Sequence, residues 1–191
     1  MYKINEVFYS LQGEGTYTGT PAVFIRFSGC NLHCDFCDTE HDTYRELSLD
    51  QLMDEVDRFK EVETIILTGG EPALQVDEAL INALHEENRF ILIETNGTHA
   101  LPKGIDWVTC SPKEDKPLKL DRIDELKVVY TGQDVEVIYN KVCQRYDVMD
   151  AYLQPCAQKD GSANIRETID YILAHPHWCL SLQTHKLVGF K

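Results

Sequence analysis

The feature that most constrains the fold is an alternation of short apolar segments with amphipathic helical segments along the 191-residue chain. Runs such as TIILT at 64–68 and RFILIE at 89–94 are typical of strands that are buried on both faces. Between the strands, Ser48 begins a capping box, and Leu52 and Val56 repeat at helical spacing. This alternation predicts an α/β fold with a mostly parallel sheet, either open and doubly wound or curved towards a barrel.

The order of the segments also predicts where a site would form. Strands are predicted at 22–27, 64–68, 89–94, 105–109, 125–130, 151–154 and 178–183, with an eighth, 3–9, at the edge of the sheet. Helical patterns occupy 76–88 and the segment around Ile165, Ile169 and Ile172. Nearly every unusual polar or glycine-rich stretch follows a strand. Because α/β proteins assemble active sites at the carboxyl edge of the sheet, this order predicts an enzyme.

Composition and charge predict one domain, residues 1–191, with an ordinary core. Hydrophobic residues make up 43% and charged residues 26%, and no linker divides the chain. The net charge of −14 disfavours binding to nucleic acid or to anionic lipid. The opening MYKINEVFYSLQGEG lacks the basic and apolar regions of a signal peptide, and no apolar run reaches membrane-spanning length. We therefore expect a cytoplasmic protein.

Three cysteines, Cys30, Cys34 and Cys37, lie within the segment SGCNLHCDFC, which we call the cysteine loop (residues 28–37). In a reducing compartment this CxxxCxxC spacing predicts metal or redox chemistry rather than disulfides. A zinc site would need His33, His41 or a distant cysteine as its fourth ligand. A 4Fe–4S cluster held by three thiolates instead leaves one iron open to a small molecule. The remaining cysteines are scattered and are predicted to be small buried hydrophobes: Cys110, Cys143, Cys156 and Cys179.

The turn Gly69-Gly70-Glu71-Pro72, which we call the GGEP turn, follows the next strand. Alone, it would equally fit a strand-to-helix turn with Glu71 as a helix N-terminal charge. Together with CxxxCxxC, it resembles the radical S-adenosylmethionine (SAM) superfamily, in which SAM chelates the open iron and is cleaved to a 5′-deoxyadenosyl radical. The resemblance implies that the three cysteines ligate a 4Fe–4S cluster and that Gly70 meets the SAM amino group. It also implies a reduced, partial (β/α) barrel with a curved sheet of six to seven strands.

Further motifs are more discriminating: SLQGEG at 10–15, the segment ETNG at 94–97 and QTHK at 183–186. With Arg26 and the Cys37-Asp38-Thr39 run, they resemble the 7-carboxy-7-deazaguanine synthases, essentially end to end. Members of that family are lyases that convert 6-carboxy-5,6,7,8-tetrahydropterin to 7-carboxy-7-deazaguanine with loss of ammonia, on the route to queuosine and other 7-deazapurines. The resemblance implies SAM and Mg2+ as cofactors, and an electron donor such as flavodoxin or ferredoxin. An incomplete barrel also leaves an open side that a homodimer would cover.

Two polar residues have specific implied roles. Arg26 matches the residue that pairs with the substrate carboxylate, and a guanidinium holds a carboxylate through two parallel hydrogen bonds. From the residues alone, Arg26 fits equally a solvent-facing charge on an edge strand. Thr39 matches the residue that contacts magnesium, an ion that keeps few protein ligands and several waters.

The resemblance implies further contacts but assigns no catalytic residue beyond the cofactors. Substrate contacts are implied for Leu11, Gln12, Gly13, Thr68, His185 and Lys191. Contacts with SAM are implied for Phe36, Cys37, Asp38, Gly70, Ser111, Pro112, Lys113 and Gln154. A lone histidine is commonly structural and chain termini often fray, so His185 and Lys191 also have simpler explanations.

Two other functions are compatible with parts of the pattern. A glycyl-radical activase would also be a short protein with CxxxCxxC, and it would act on a partner protein rather than on a pterin. A zinc-binding module would use Cys30, Cys34, Cys37 and His41. Iron and sulfide in anaerobically purified protein would distinguish the cluster from zinc.

Overall fold

The computed structural model describes residues 1–35, 37, 43–113, 116–157 and 162–191. Within these ranges, the strands are β1 (Tyr2–Leu11), β2 (Pro21–Phe27), β3 (Arg45–Leu47), β4 (Thr64–Gly69), β5 (Phe90–Thr95), β6 (Trp107–Cys110), β7 (Glu125–Tyr130), β8 (Asp150–Pro155) and β9 (Cys179–Leu180). They form one sheet in the order β3-β1-β2-β4-β5-β6-β7-β8-β9.

The sheet is mostly parallel, as the alternation of elements predicts. From β2 to β9 the neighbouring strands run parallel, whereas β1 is antiparallel to β2 and β3 is antiparallel to β1. In the described residues the order ends at β3 and β9 without closing, so the sheet is the open, partial barrel that was expected. The short strand β3 was not predicted, because three residues are too few to show an alternating pattern.

The helices in the described ranges are α1 (Leu49–Val56), α2 (Glu78–Glu86), α3 (Val135–Cys143), α4 (Ile165–Ala174) and α5 (Thr184–Val188). The predicted capping box begins α1, where Ser48 accepts from the Gln51 amide and the Gln51 side chain accepts from the Ser48 amide. We did not predict α3 or α5. In the part of the chain that is described, no helix combines the length and apolar character needed to cross a membrane.

Two predicted strands are shorter than expected. Strand β6 begins two residues late, because the carbonyl groups of Ile105 and Asp106 accept hydrogen bonds from Arg122 instead. Strand β9 is confined to two residues of the predicted 178–183 segment. Neither change affects the face on which the remaining strand residues lie.

The two faces of the sheet have different partners. On the outer face, strand residues such as Ile65 and Ile91 pack with Leu80 and Leu84 of α2 in the main hydrophobic core. Each such buried side chain contributes roughly 1.5–3 kcal/mol through removal of apolar surface from water. On the inner face, a smaller apolar cluster contains Phe8, Ala22, Phe24, Ile66, Leu92 and Trp107. The helices therefore leave the inner face to shape a cavity.

Candidate active site

A cavity of about 340 Å3 opens at the carboxyl edge of the sheet, and we call it the site cavity. The residues that line it come from five strands, β2, β4, β5, β7 and β8, and from segments that follow strands of the sheet. This arrangement confirms the prediction that the polar stretches after the strands meet at one edge.

A layer of polar side chains on the inner face forms one wall of the site cavity. They lie on β2, β4, β5 and β7, and we call the set the polar layer: Arg26, Thr68, Glu94 and Lys127. Arg26 of β2 is paired in register with Thr68 of β4, so parallel pairing places both on the same face. Arg26 is therefore not a solvent-facing charge on an edge strand, since β2 lies between β1 and β4.

Lys127 joins two glutamates at the centre of the polar layer. Its Nζ donates to Glu14 Oε2 and to Glu94 Oε2, each at 2.8 Å. The side-chain amide of Gln12 donates to Glu94 at 3.2 Å, and that of Gln183 donates to Glu14 at 2.9 Å. The trio has two potential negative charges against one positive charge in a setting that excludes water. Removing the positive charge of Lys127 would therefore be costly.

Burial and charge shift the pKa values of this trio in different directions. Burial, reinforced by the nearby Glu14 carboxylate, raises the pKa of Glu94 to about 7 despite the attraction of Lys127. Burial also disfavours the charged forms of Glu14 and Lys127, but their mutual attraction outweighs it, lowering the pKa of Glu14 and raising that of Lys127. Lys127 therefore remains cationic, and Glu94 is the member that changes charge near neutral pH.

The cysteine loop brings Cys30, Cys34 and Cys37 to the site cavity. The amide of Cys37 donates to the carbonyl of Cys34 at 3.0 Å, and the amide of Leu32 donates to Cys30 Sγ at 3.4 Å. Burial raises the pKa of the Cys30 thiol. Among the described residues, no group of three or more His, Cys, Asp and Glu side chains forms a site that could hold a metal ion. A donor set of three sulfurs around one cavity fits a 4Fe–4S cluster, whose fourth iron would then face the cavity.

The GGEP turn packs directly on the cysteine loop. A Cβ atom added to Gly70 would lie 2.2 Å from the carbonyl oxygen of Gly29 and 3.2 Å from the amide nitrogen of Cys30. The amide of Glu71 donates to the same Gly29 carbonyl at 2.9 Å. Glycine is required here because two backbones meet, a reason that differs from the ligand approach inferred from the sequence.

The carboxylate of Glu71 is buried and joins three segments. It accepts from the amide of Ala73 at 3.0 Å, from the Thr95 hydroxyl at 2.7 Å and from the Asn96 amide at 2.7 Å. Burial raises the pKa of Glu71 against the effect of these donors. The Asn96 side chain in turn donates to Asn31 in the cysteine loop at 3.1 Å. The Glu71 side chain thus caps the short helix Pro72–Leu74 that follows the turn, as one interpretation of the sequence predicted. It also fixes the neighbouring loop after β5.

Lys113 lies in the lining of the site cavity, close enough to Cys34 for their charges to interact. Its Nζ donates to the hydroxyl of Ser111, and both residues line the cavity with Gln154. Burial lowers the pKa of Lys113, whereas the nearby Cys34 thiolate favours its charged form. A cation in this position would stabilise negative charge on the sulfur donors or on a bound carboxylate.

The site cavity collects most of the residues that were predicted to bind ligands. Those that line it are Gln12, Arg26, Cys30, Cys34, Cys37, Thr68, Gly70, Ser111, Lys113, Gln154 and His185. Leu11, Gly13, Pro112 and Lys191 are not among its lining residues. Gly13 instead contacts His185, since an added Cβ would lie 2.2 Å from its Nδ1. Phe36, Asp38, Thr39 and His41 lie outside the described residues.

Sequence reasoning missed part of the site and misplaced two cysteines. Glu14 and Lys127 were not predicted, although a charged residue on the inner face of the apolar strand ELKVVY was an available signal. Cys110 is buried as predicted, and Cys156 is buried but lines the site cavity. The prediction is wrong for Cys143 and Cys179, which are exposed.

Comparison with known proteins places this site in a family. Residues 24–178 match the model of the Radical SAM superfamily. The 7-carboxy-7-deazaguanine synthase of Bacteroides thetaiotaomicron is 53% identical over 100% of both chains. The protein of that name from Bradyrhizobium diazoefficiens is 39% identical, over 100% of this chain and 99% of the relative. The crystal structure of QueE from Escherichia coli matches with a TM-score of 0.79 and 32% identity, covering 96% of this chain and 94% of that one.

A radical SAM enzyme is therefore the class of protein that this open sheet and its cysteine-lined cavity define. Full-length identity to the named relatives narrows the class, and the chain belongs to the 7-carboxy-7-deazaguanine synthase family. The resemblance inferred from CxxxCxxC, GGEP and SLQGEG is confirmed. Superfamily membership implies a 4Fe–4S cluster and SAM as cofactors. Membership of the synthase family agrees neither with a zinc-binding module nor with a glycyl-radical activase.

Proposed function

We propose that the site cavity converts 6-carboxy-5,6,7,8-tetrahydropterin to 7-carboxy-7-deazaguanine and ammonia. The observation that carries this proposal is the meeting of two chemistries in one cavity: three sulfur donors on one side and the polar layer on the other. The substrate differs from the organic product by one molecule of ammonia, so the net reaction is an elimination with ring contraction. The activity agrees with the family to which the chain belongs.

On this proposal, Cys30, Cys34 and Cys37 hold the 4Fe–4S cluster. The GGEP turn, Ser111, Lys113 and Gln154 would hold SAM, since they line the same cavity. Gly70 keeps the turn against the cysteine loop, and the Glu71 carboxylate fixes the turn to the loop after β5. When bound, the cluster and SAM supply the radical chemistry that starts the ring contraction.

The polar layer binds and orients the pterin. The guanidinium of Arg26 pairs with the substrate carboxylate, the one formal charge that distinguishes the substrate from an unsubstituted pterin. Glu14 and Glu94 accept hydrogen bonds from the amino and ring N–H groups of the heterocycle. Lys127 holds the two carboxylates in fixed positions by donating a hydrogen bond to each. Gln12, Thr68 and His185 complete the wall. Gln12 and Lys127 are buried and the other groups are partly buried, so a bound pterin would displace much of the water from this wall.

Three partners complete the proposal. Thr39 would contribute a hydroxyl ligand to Mg2+, a hard ion that keeps few protein ligands. A flavodoxin or ferredoxin supplies the electron that the cluster needs before SAM is cleaved. The enzyme is a homodimer, in which a second copy covers part of the open side of the sheet. The support for all three is the family resemblance.

The test is anaerobic turnover of 6-carboxytetrahydropterin with reconstituted protein, SAM, dithionite and Mg2+. We expect one ammonia per 7-carboxy-7-deazaguanine formed. Cys34→Ala should lose cluster absorbance and turnover while the fold remains. Cys143→Ala is the matched control, because that cysteine is exposed and outside the site cavity, and it should keep both properties. Full turnover by Cys34→Ala would overturn the cluster assignment, and absence of product with the intact protein would overturn the proposed reaction.

A further inference from the structure

Glu6 lies on the inner face of β1 because the strand contains a bulge. The pairing of β1 with β2 shifts between Ile4, which faces Phe27, and Glu6, which faces Arg26, so Asn5 is an extra residue. With regular alternation Ile4 and Phe8 would share a face, yet Ile4 belongs to the outer core and Phe8 to the inner cluster. Bulges of this kind re-aim side chains near functional sites.

The re-aimed carboxylate holds the guanidinium of Arg26. The Nε of Arg26 donates to Glu6 Oε1 at 3.0 Å, and its Cζ lies 5.6 Å from the centre of the Phe8 ring. The Phe8 ring is itself stacked on Phe24, with centroids 4.9 Å apart and planes 5° from parallel. In the described part of the chain, no hydrogen bond occupies the two terminal amino groups of Arg26. The guanidinium is therefore fixed through Nε, while the end that binds carboxylates in a bidentate manner is available.

A second cation offsets the charge of Glu6. The Nζ of Lys191 donates to Glu6 Oε2 and lies 4.6 Å from the centre of the Phe8 ring. The hydroxyl of Ser10 donates to the carbonyl oxygen of Lys191 at 2.6 Å, which holds this residue against β1. The side chains of Arg26, Glu6 and Lys191 together have a net charge of +1, whereas those of Arg26 and Glu6 alone would be neutral. The Arg26–Glu6–Lys191 group therefore keeps the positive charge that an anionic group of a ligand requires.

We propose that Glu6 is the positioning residue for Arg26, and that Lys191 preserves the net positive charge of the Arg26–Glu6–Lys191 group. This charge lets the group select a carboxylated pterin. The proposal rests on the proposed function, in which Arg26 binds the substrate carboxylate. Glu6 acts through Arg26, since it does not line the site cavity. Its role is to present the terminal amino groups of Arg26 in one orientation.

The test compares Glu6→Ala with Glu6→Gln in the reconstituted enzyme. The readouts are KM and kcat for 6-carboxytetrahydropterin, and the inhibition constant of 5,6,7,8-tetrahydropterin, which lacks the carboxyl group. Glu6→Ala should raise KM about tenfold with little change in kcat, because the acceptor for Nε is lost. The inhibition constant should stay within about twofold, because the carboxyl-free ligand does not use Arg26. Glu6→Gln keeps an acceptor oxygen and should remain within about threefold of the parent KM.

Three results would overturn the inference: an unchanged KM in Glu6→Ala, an equal loss for both ligands, or no rescue by Glu6→Gln. Arg26→Ala separates this failure from that of the proposed function. If Arg26→Ala does not discriminate between the two ligands, the carboxylate assignment of Arg26 is wrong. If it does discriminate but Glu6→Ala does not, only the positioning role of Glu6 is wrong.

Discussion

The two walls of the site cavity are held together by different means. The polar layer consists of side chains on strands of the sheet, and its charges are paired: Lys127 contacts Glu94 and also Glu14, which lies in the loop after β1. On the opposite wall, the GGEP turn meets the cysteine loop through backbone atoms, with no room for a Cβ at Gly70. The first wall should therefore be sensitive to charge and pH, and the second to added volume.

The largest effect should follow loss of the central cation of the polar layer. Lys127→Met leaves two buried carboxylates without a counter-charge and should lower the free energy of unfolding by about 3–5 kcal/mol at pH 8. The loss should be smaller at pH 6, where Glu94, with its pKa raised to about 7, takes up a proton. Urea denaturation at the two pH values measures both effects.

The control for this variant is its neighbour on the outer face. Val128 is 1% exposed and packs in the main core, so Val128→Ala should cost about 2 kcal/mol equally at both pH values. Equal and pH-independent losses for the two variants would mean that the charges of the polar layer are not what stabilises it.

The second effect probes the backbone-built wall. Gly70→Ala places a Cβ 2.2 Å from the Gly29 carbonyl oxygen, so the turn and the cysteine loop must separate. We expect a loss of about 2–3 kcal/mol in unfolding free energy, together with reduced iron content and weaker SAM binding after reconstitution. Tetrahydropterin binding should change little, because the polar layer is not displaced.

Gly132→Ala is the matched glycine substitution. Among the described residues, no atom lies within 4 Å of an added Cβ there, but the backbone φ is +90°, so the change introduces strain without a described contact. It should cost about 1 kcal/mol and leave iron content unchanged. If Gly70→Ala behaves in the same way, the close approach of the two backbones is not essential to the wall.

The smallest effect is the pH dependence that Glu94 contributes. The folded state raises the pKa of this carboxyl from its ordinary value of 4.5 to about 7, so the folded state binds the proton more tightly than the unfolded state. Stability from this group therefore increases as pH falls from about 7 towards 4.5 and is lost as pH rises. Glu94→Gln should flatten the dependence by about 1–2 kcal/mol between pH 5 and pH 8. An unaltered pH profile in chemical denaturation would contradict the raised pKa.

Much of this arrangement could be predicted from local pattern. Apolar runs that end abruptly in polar residues predicted the bounds of β2, β4 and β7 to within one or two residues. This was possible because strand periodicity is a local property of the sequence. The cysteine motif and the GGEP turn identified one wall of the cavity. The partnership of Glu14 with Lys127 could not be predicted, since 113 residues separate them and only sheet order brings them together.

The bulge at Asn5 shows the same limit on a smaller scale. Strict alternation would put Glu6 on the outer face with Ile4, and an extra residue in one strand is recognised only through the register of its partner. The sequence predicted that Gly70 allows close approach of a ligand, whereas the neighbour that requires a glycine there, the Gly29 carbonyl, became evident only from the packed loops.

By itself, the sequence determined the alternating α/β order, the parallel sheet, the cysteine donors and the family of the enzyme. Each of these depends on the types of residues that lie close together in the chain. Only the tertiary structure decided which charges meet: Lys127 between Glu14 and Glu94, and Arg26 beside Glu6 and Lys191. The physical reason is that a buried charge is stabilised by partners in space, and strand order and register choose those partners without leaving a local signature.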